Sequence, residues 1–205
     1  GQTELLGLLS GMLDVQQGAI NIEGVCIDAQ HQMTPKQIRH LGVGHVAEDR
    51  HRDGMVGAFS AEETAIMGFQ DEPEFNGSIL QDRSAITKHC HELMNTFDVR
   101  PVDPDLKSAS FSGGNQQKLC IAREMNVSPK VLLVGQPTRG VDIGAIEFIH
   151  QQIVALRDQG SAVLVVSVEL EEILSLCDRV LVMSEGRIVG NKQRKHTQNH
   201  FGTER

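Results

Sequence analysis

The amino-acid sequence predicts an α/β fold built on a parallel sheet. Two short apolar runs, residues 131–134 and 162–167, have the length and composition of fully buried strands. Helical patterns alternate with these runs along the second half of the chain. Strands that are apolar on both faces are typical of parallel sheets covered by helices on both sides. A chain of 205 residues with 40% hydrophobic content is long enough to bury such a core.

The beginning of the chain carries the patterns of two helices, a hairpin and a first sheet strand. Residues 5–12 have a helical pattern, and residues 18–27 alternate apolar and polar side chains around a Glu-Gly turn, which predicts a β-hairpin. A short helix is expected over residues 35–40, because Thr34 is a good N-cap and proline follows it. Residues 41–46 have the pattern of a glycine-rich strand.

The middle of the chain, residues 61–125, is helical in character and contains one apolar stripe. Its members recur at i, i+4, i+7, i+8 and i+11, a spacing that places them on one face of a helix: Ile86, Cys90, Leu93, Met94 and Phe97. Core packing is the simplest explanation of this stripe. Pro129 ends the helical region ahead of the first buried strand.

The last part of the chain continues the alternation of helices and strands. A helix is expected over about residues 142–158, followed by Gly160 as its C-terminal cap. Residues 170–176 predict another helix, and residues 179–189 predict a hairpin around a Ser-Glu-Gly turn. Residues 191–205 are polar without a period, and we expect them to form a loose tail.

Composition and charge exclude several classes of protein. The net charge of −8 and the absence of Trp and Tyr argue against a nucleic-acid partner, which needs a basic face and stacking aromatic side chains. No apolar run approaches the roughly 20 residues that span a membrane. The cysteines lie far apart in apolar or helical contexts, and we expect reduced core thiols of a cytosolic protein: Cys26, Cys90, Cys120 and Cys177. His89 and His91 flank Cys90, but consecutive helix positions point to different faces, which argues against a shared metal ion.

The segment Phe-Ser-Gly-Gly-Asn-Gln-Gln-Lys, residues 111–118, is expected at the beginning of a helix. Ser112 is a good N-cap, and the apolar helical run that follows places Gly113 and Gly114 at the helix mouth. A helix mouth offers unpaired N–H groups and a partial positive charge, which together suit an anion such as phosphate. By pattern alone, a capped helix after a turn explains the segment equally well.

The same segment is followed by the strand at 131–134 and by Gly-Gln-Pro-Thr-Arg-Gly-Val-Asp, residues 135–142. Over almost the whole chain, the sequence resembles the nucleotide-binding domain of ABC transporters. More narrowly, it resembles the second of two tandem domains in the ATPase subunits of sugar and nucleoside importers. The resemblance implies a single domain with a truncated N-terminal part. Its parts would be a P-loop NTPase-like parallel-sheet core and an inserted helical subdomain: residues 1–48 and 129–190 for the core, and about 49–128 for the subdomain.

The resemblance places Gly1, Gln2 and Thr3 at the end of a phosphate-binding loop. In such a loop a lysine holds the β and γ phosphates of ATP, and the following hydroxyl holds Mg²⁺. Thr3 is therefore a candidate metal ligand, but Gln2 stands at the lysine position and supplies no charge. Loss of one charge-assisted hydrogen bond costs about 1.5–3 kcal/mol. Glu48 takes the Q-loop position, in the Glu-Asp-Arg form typical of these importers.

Three further positions lack the groups with which the family hydrolyses ATP. By the resemblance, Gly135 stands where an aspartate holds Mg²⁺, Gln136 where a glutamate polarises water, and Val168 where a histidine senses the γ-phosphate. Removal of a general base alone lowers a rate by about 10²–10⁴. We therefore expect no catalytic residue in the domain's own pocket.

The residues that act on the ATP of a partner domain are retained. In the family, the signature segment and the D-loop contact nucleotide held by a second domain, and here they supply Ser112, Gly113, Gly114, Gln116 and Asp142. The resemblance thus implies a degenerate domain that lends its signature to a partner site, where ATP and Mg²⁺ are mainly bound. Simple helix caps at Ser112 and Asp142 are the structural alternative.

The resemblance also implies partners and a location. These are a second ABC domain in the same parent chain, transmembrane permease subunits that residues 57–77 partly contact, and the cytoplasmic face of the cell membrane. Nucleic acid is not expected. Nucleoside importers match residues 135–150 better than sugar importers, which usually keep an acid at 135 and 136. Two alternatives stay open: a non-catalytic docking module of the transporter, and a soluble ABC ATPase outside transport.

Overall fold

The computed structural model describes residues 1–193, whose helices and strands follow the predicted order. The helices are α1 (Gln2–Leu9), α2 (Pro35–His40), α3 (Ala61–Ala65), α4 (Arg83–Thr96), α5 (Gly113–Met125), α6 (Ile143–Asp158) and α7 (Leu170–Leu176). The strands are β1 (Ala19–Ile22), β2 (Val25–Asp28), β3 (Val43–Val46), β4 (Val131–Gly135), β5 (Ala162–Val166), β6 (Arg179–Ser184) and β7 (Arg187–Gln193). Short helical turns cover Arg50–Gly54 (a π turn), Pro73–Phe75 and Ser108–Ser110.

A parallel sheet in the order β3-β4-β5 forms the centre of the fold. Its register places Val46 opposite Val134 and Gly135 opposite Val166, so the carboxyl ends of all three strands lie at one edge. The predicted α/β fold with a parallel sheet is therefore confirmed. The two predicted hairpins are also present, as the antiparallel pairs β1–β2 and β6–β7.

Apolar side chains cover both faces of the sheet, because β4 sends alternate residues into two separate clusters. Leu132 belongs to the largest cluster, together with Leu119 of α5 and Ile149 of α6. Leu133 belongs to a second cluster, which contains Leu6 of α1 and residues of the β1–β2 hairpin. The sheet is thus a middle layer, with α5 and α6 on one side and α1 and the hairpin on the other.

The segment between β3 and β4 is built of helices and helical turns, as expected for an inserted helical region. The predicted stripe on α4 is buried, and its members Cys90, Leu93 and Met94 are at most 1% exposed. Ile86 packs in a smaller cluster with Phe69. Because α5 shares its apolar cluster with β4, the end of this insertion and the sheet have a common core.

The expected burial of β5 and of one cysteine needs correction. Only Val166 of β5 is buried, since within residues 1–193 this strand pairs with β4 alone and its other edge has no strand beside it. Cys26 is exposed on the β1–β2 hairpin rather than in the core. Cys90 and Cys120 are buried and Cys177 is half-buried, and all four thiols are free.

Two expected boundaries also shift. Helix α1 ends at Leu9 rather than at residue 12, and Gly11 just beyond it adopts the left-handed φ of 74° that favours glycine. Strand β7 pairs with β6 as far as Gln193, so residues 191–193 are not part of a loose tail. The remainder of that predicted tail lies outside the described residues. Within the described part of the chain, no helix has the length and apolar character needed to cross a bilayer.

A buried ion cluster joins the insertion to the sheet. The fully buried carboxylate of Glu124 in α5 accepts hydrogen bonds from Arg39 Nη1 at 2.6 Å and from Arg123 Nε at 2.9 Å. The backbone N–H of His45 donates to the same carboxylate at 3.1 Å. Arg123 Nη1 also donates to the carbonyl oxygen of Gly54 at 2.8 Å. These bonds attach α2, β3 and the π turn to one helix.

Candidate nucleotide-binding site

The carboxyl edge of the parallel sheet brings together the positions at which the family's hydrolytic groups are missing. Gln136 follows β4, and its backbone N–H donates to the carbonyl oxygen of Val166 at 2.7 Å. Its side-chain Oε1 accepts a hydrogen bond from the backbone N–H of Val168 at 3.3 Å. In open α/β sheets, ligands bind at this edge. The two positions are therefore neighbours, but they offer an amide and an exposed aliphatic side chain.

Glu48 fills the space beside Gly135 at the same edge. A Cβ atom placed on Gly135 would lie 2.3 Å from Cγ of Glu48 and 2.9 Å from its backbone nitrogen. Real Cβ atoms do not approach other atoms so closely, so the place of a metal-binding aspartate is sterically closed by Glu48.

The first residues form the N-terminus of α1. Gly1 is the N-cap, and a Cβ atom placed on it would lie 3.4 Å from Gly186 Cα in the turn of the β6–β7 hairpin. Gln2 is half-buried and Thr3 is exposed. Within residues 1–193, no three His, Cys, Asp or Glu side chains converge in a way that could hold a metal ion.

The mouth of α5 is built as the sequence predicts. Ser112 is the N-cap, with extended backbone angles, and its Oγ accepts a hydrogen bond from the backbone N–H of Asn115 at 3.4 Å. Asn115 Nδ2 donates to the same oxygen at 2.9 Å, while Asn115 Oδ1 accepts from the backbone N–H of Arg100 at 2.7 Å. Ser112 is exposed, Gly113 is half-buried and Gly114 is buried.

The side chain of Gln116, one of the expected nucleotide-binding residues, lies inside the protein. It is only 6% exposed, and its Nε2 donates to the backbone carbonyl oxygens of Ser108 at 3.2 Å and Phe111 at 3.1 Å. Its Oε1 accepts from Nε of Arg50 at 3.3 Å. Because both ends of the amide are engaged inside the protein, Gln116 holds neighbouring segments in place rather than facing a ligand.

The segment 139–142 lies directly on the two signature glycines. A Cβ atom placed on Gly113 would lie 2.6 Å from the carbonyl oxygen of Gly140, and one on Gly114 would lie 2.7 Å from Oδ2 of Asp142. No larger residue fits at either position without a shift of this segment. Asp142 Oδ1 accepts from the backbone N–H of Ala145 at 3.0 Å, so Asp142 also caps α6, as the structural alternative states.

Each residue of the Glu-Asp-Arg triplet, residues 48–50, has a different structural role. Glu48 closes the space beside Gly135, as described above. Asp49 caps the π turn by accepting from the backbone N–H groups of His51 and Arg52, and these bonds hold the pKa of Asp49 below its usual range. Arg50 reaches across to the signature helix and to the 139–140 backbone. The sequence analysis missed Arg50, although its place next to Glu48 was the available signal.

A cavity of about 470 Å³ opens beside the helix mouth, between the N-terminal turns of α5 and α6. Lys118 contributes a cation there: its Nζ donates to Asp98 Oδ2 at 3.0 Å and lies 4.8 Å from the centre of the Phe148 ring. Hydrogen bonds from Lys118 and Arg100 lower the pKa of Asp98. The surroundings of the mouth therefore combine fixed charges of both signs.

The fold is that of an ATP-binding cassette. The model of the family described as ABC transporter matches residues 1–139, and the chain belongs to this family. Among solved structures, the fold matches a nucleotide-free cassette from an ABC transporter with a TM-score of 0.77, at 20% identity over 95% of this chain and 77% of that one. A dimeric cassette in a post-hydrolysis state, bound to ADP and Pi, also gives 0.77, at 18% identity over 96% of this chain and 82% of that one.

Curated relatives are import ATP-binding proteins. The chain is 44% identical over 190 residues to the nucleoside import ATP-binding protein NupA of Lactococcus lactis, and covers 37% of that protein. It is 37% identical over 197 residues to the guanosine import ATP-binding protein NupO of Bacillus subtilis, and covers 38% of it. It is 36% identical to the ribose import ATP-binding protein RbsA 1 of Rubrobacter xylanophilus over 190 residues. These matches span 93–96% of this chain but less than two fifths of each relative.

Proposed function

We propose that this chain is an ATP-binding domain of the energy-coupling subunit of an ABC importer, with nucleosides as the favoured cargo and sugars as the other class. The relatives named for nucleoside and guanosine import support the cargo, and the ribose relative supports the wider class. The domain would pair with a second ABC domain of the same parent protein. It would act with permease subunits at the cytoplasmic face of the membrane.

The observation that carries the proposal is the contrast between two parts of the molecule. At the carboxyl edge of the sheet, Gln136 and Val168 are neighbours at the positions that the resemblance assigns to the general base and the γ-phosphate sensor, and neither side chain can accept a proton. The α5 mouth keeps Ser112 as an exposed cap, with both glycines packed under the 139–142 segment. We infer that the domain does not hydrolyse ATP in its own pocket but completes the competent site of its partner.

The residues at the α5 mouth fit a phosphate group. Ser112 offers an exposed hydroxyl, Gly113 and Gly114 let the 139–142 segment lie close to the helix mouth, and the helix N-terminus favours negative charge. In the complex, these groups would hold the γ-phosphate of ATP bound by the partner domain and stabilise the charge that develops during hydrolysis. Mg²⁺ would neutralise phosphate charge mainly at the partner's site, because in this domain Gly135 stands where the resemblance places the metal-binding aspartate.

A groove of about 690 Å³ supports contact with a permease. It lies between α2, the 69–75 segment and the end of α5, and it combines aromatic side chains with charges of both signs: Phe69, Phe75, Glu72, Arg39 and Lys130. Mixed apolar and charged surfaces of this kind suit a helical segment of a partner protein. The groove adjoins the 57–77 range that the resemblance assigns to permease contact, so docking is part of the proposed function rather than a replacement for it.

The test compares two matched losses of a helix cap in the complete importer. Ser112→Ala removes a cap at the α5 mouth, and Thr34→Ala removes a cap at α2, far along the chain from the signature. Each change costs roughly 1 kcal/mol of stability. Only Ser112→Ala should also remove a charge-assisted contact to phosphate worth about 1.5–3 kcal/mol, or roughly 10- to 100-fold in turnover. Equal turnover in the two variants contradicts the proposal.

A further inference from the structure

The guanidinium group of Arg50 lies where the segments that surround the signature turn meet. Its Nη1 donates to the carbonyl oxygen of Arg139 at 2.8 Å, and its Nη2 donates to that of Gly140 at 3.5 Å. Its Nε donates to Oε1 of Gln116 at 3.3 Å. The Arg50 side chain thus joins the π turn, in which Arg50 lies, to the signature helix and to the 139–140 backbone, which are 66 to 90 residues away in sequence.

The same group forms a wall of the signature turn. A Cβ atom placed on Gly113 would lie 3.0 Å from Nη2 of Arg50 and 2.6 Å from the carbonyl oxygen of Gly140. Gly113, Gly140 and the guanidinium therefore pack against one another without space for a methyl group. A shift of Arg50 would release the carbonyl groups that lie over the helix mouth.

The position of Arg50 is fixed from the other side by the π turn. Asp49 caps the first residues of that turn, and the carbonyl oxygen of Gly54 at its end accepts from Arg123 of α5 at 2.8 Å. The π turn is consequently attached to the same helix that begins at the signature. These bonds hold the backbone of Arg50 close to the helix that begins at the signature.

Gln116 extends the connection to the segment after the π turn. Its Nε2 donates to the carbonyl oxygens of Ser108 at 3.2 Å and Ala109 at 3.5 Å. The backbone N–H groups of these two residues donate to Phe59 at 2.8 Å and Gly57 at 3.0 Å. Continuous hydrogen bonds thus run from residues 57–59 through Gln116 and Arg50 to the 139–140 backbone. Residues 57–59 begin the range that we propose contacts the permease.

We propose that Arg50 is the positioning residue that holds the 139–142 segment over Gly113, and that Gln116 connects this arrangement to the permease-facing 57–59 segment. The inference rests on the proposed function, because the geometry it controls serves the nucleotide of the partner domain. A planar guanidinium can reach three acceptors in different directions. A lysine ammonium at the same position keeps the charge but has one nitrogen, so charge alone cannot replace the arginine.

The test uses Arg50→Lys and Arg50→Gln in the complete importer, reconstituted with its permease subunits, with transport-coupled ATP turnover as the measurement. Arg52→Ala in the same turn is the matched control, since that side chain is 82% exposed and pairs only loosely with Asp53 at 3.6 Å. Both Arg50 variants should lower kcat by roughly 10- to 100-fold, because small misplacements of a reacting group have effects of this size. The KM for ATP of both Arg50 variants should stay within about threefold of the wild-type value. The kcat of Arg52→Ala should stay within about twofold of the wild-type value. Wild-type kcat in Arg50→Lys overturns the proposal.

A double-mutant cycle separates positioning from general stability. If Arg50 and Gln116 act as one unit, the double variant Arg50→Lys with Gln116→Ala should lower kcat no more than the stronger single change. If the two residues act independently, their effects on kcat multiply, and that result contradicts the proposed connection between Arg50 and Gln116. Thermal unfolding of Arg50→Lys should lie within about 3 °C of the wild type. Unfolding of this conservative variant would make Arg50 a stability residue and overturn the proposal. If Ser112→Ala lowers turnover but Arg50→Lys does not, only this inference fails; if Ser112→Ala has no effect, the proposed function itself fails.

Discussion

Removal of the buried Glu124 carboxylate is expected to destabilise the whole domain. In Glu124→Ala, Arg39 and Arg123 lose the acceptor that now lies 2.6 and 2.9 Å from them. The Arg123 side chain is only 4% exposed and cannot recover these bonds from water, whereas Arg39 is 23% exposed and can do so in part. The variant therefore leaves one cation buried with its carbonyl partners but without its counter-charge.

The expected loss of unfolding free energy follows from the Arg123 charge that stays buried without its partner. Breaking a buried ion pair by removing one partner costs about 3–5 kcal/mol, because the remaining charge has been taken out of water without compensation. Partial hydration of Arg39 favours the lower half of that range. For a domain of this size, each kcal/mol shifts the melting temperature by roughly 2–4 °C, so a loss of about 3–4 kcal/mol lowers Tm by about 6–16 °C.

The assay is denaturant unfolding at pH 7, with Glu147→Ala as the control. Glu147 lies on the exposed face of α6, and its removal should change the unfolding free energy by less than about 0.5 kcal/mol. The triple change Glu124→Met, Arg123→Met and Arg39→Met removes every charge of the cluster, and it should recover part of the loss. A cost below about 1 kcal/mol for Glu124→Ala, or no recovery in the triple variant, would refute the argument from the stranded charge.

Three further outcomes are expected. Gly135→Asp should lower the unfolding free energy by about 1–3 kcal/mol through overpacking, and Glu48→Ala in the same chain should restore most of this loss. Denaturant unfolding curves measure both changes. An equal loss of unfolding free energy with and without the Glu48 side chain would exclude the steric explanation. Burial lowers the pKa of His45 below 6.5, and for Glu124 the effect of burial is outweighed by Arg123 and Arg39, which keep its pKa below 4.5. In both cases the unfolded chain binds more protons, so the unfolding free energy should fall as pH drops below about 6.5 and again below about 4.5; a flat profile from pH 8 to 4 contradicts this. Calorimetry on the 205-residue chain should detect no MgATP binding of micromolar affinity, because Gly135 supplies no carboxylate for the metal and the phosphate-loop lysine is absent.

The main elements of the fold could be predicted because their causes are local. The continuous apolar run at 131–134 indicates a strand that is buried on both faces. Such a strand is typical of a parallel sheet whose two faces are both covered by other elements. Ser112 followed by two glycines predicts the beginning of α5, because helix capping depends on only a few adjacent residues. Burial of β5 was predicted less well, because it depends on which strand lies beside it and not on its own residues.

The arrangement around Arg50 could not be predicted, because its partners are distant in sequence and most of them are backbone groups that do not depend on residue type. Two of its three acceptors are backbone carbonyl oxygens of Arg139 and Gly140, which every residue possesses. The third is the amide of Gln116, whose position in a recognised motif pointed to ligand contact instead of burial. The closure of the space beside Gly135 by Glu48 is likewise a relation between two loops that only the folded chain brings together.

The most direct test of the central claim is Gly113→Asp in the complete parent protein, with transport-coupled ATP turnover as the measurement. The new side chain would meet the carbonyl oxygen of Gly140 and bring a negative charge to the α5 mouth, where the proposal places the γ-phosphate of the partner's ATP. Turnover should collapse while assembly with the permease subunits is retained. Wild-type turnover would contradict the central claim, and the domain would then be described better as a docking scaffold with an unused signature.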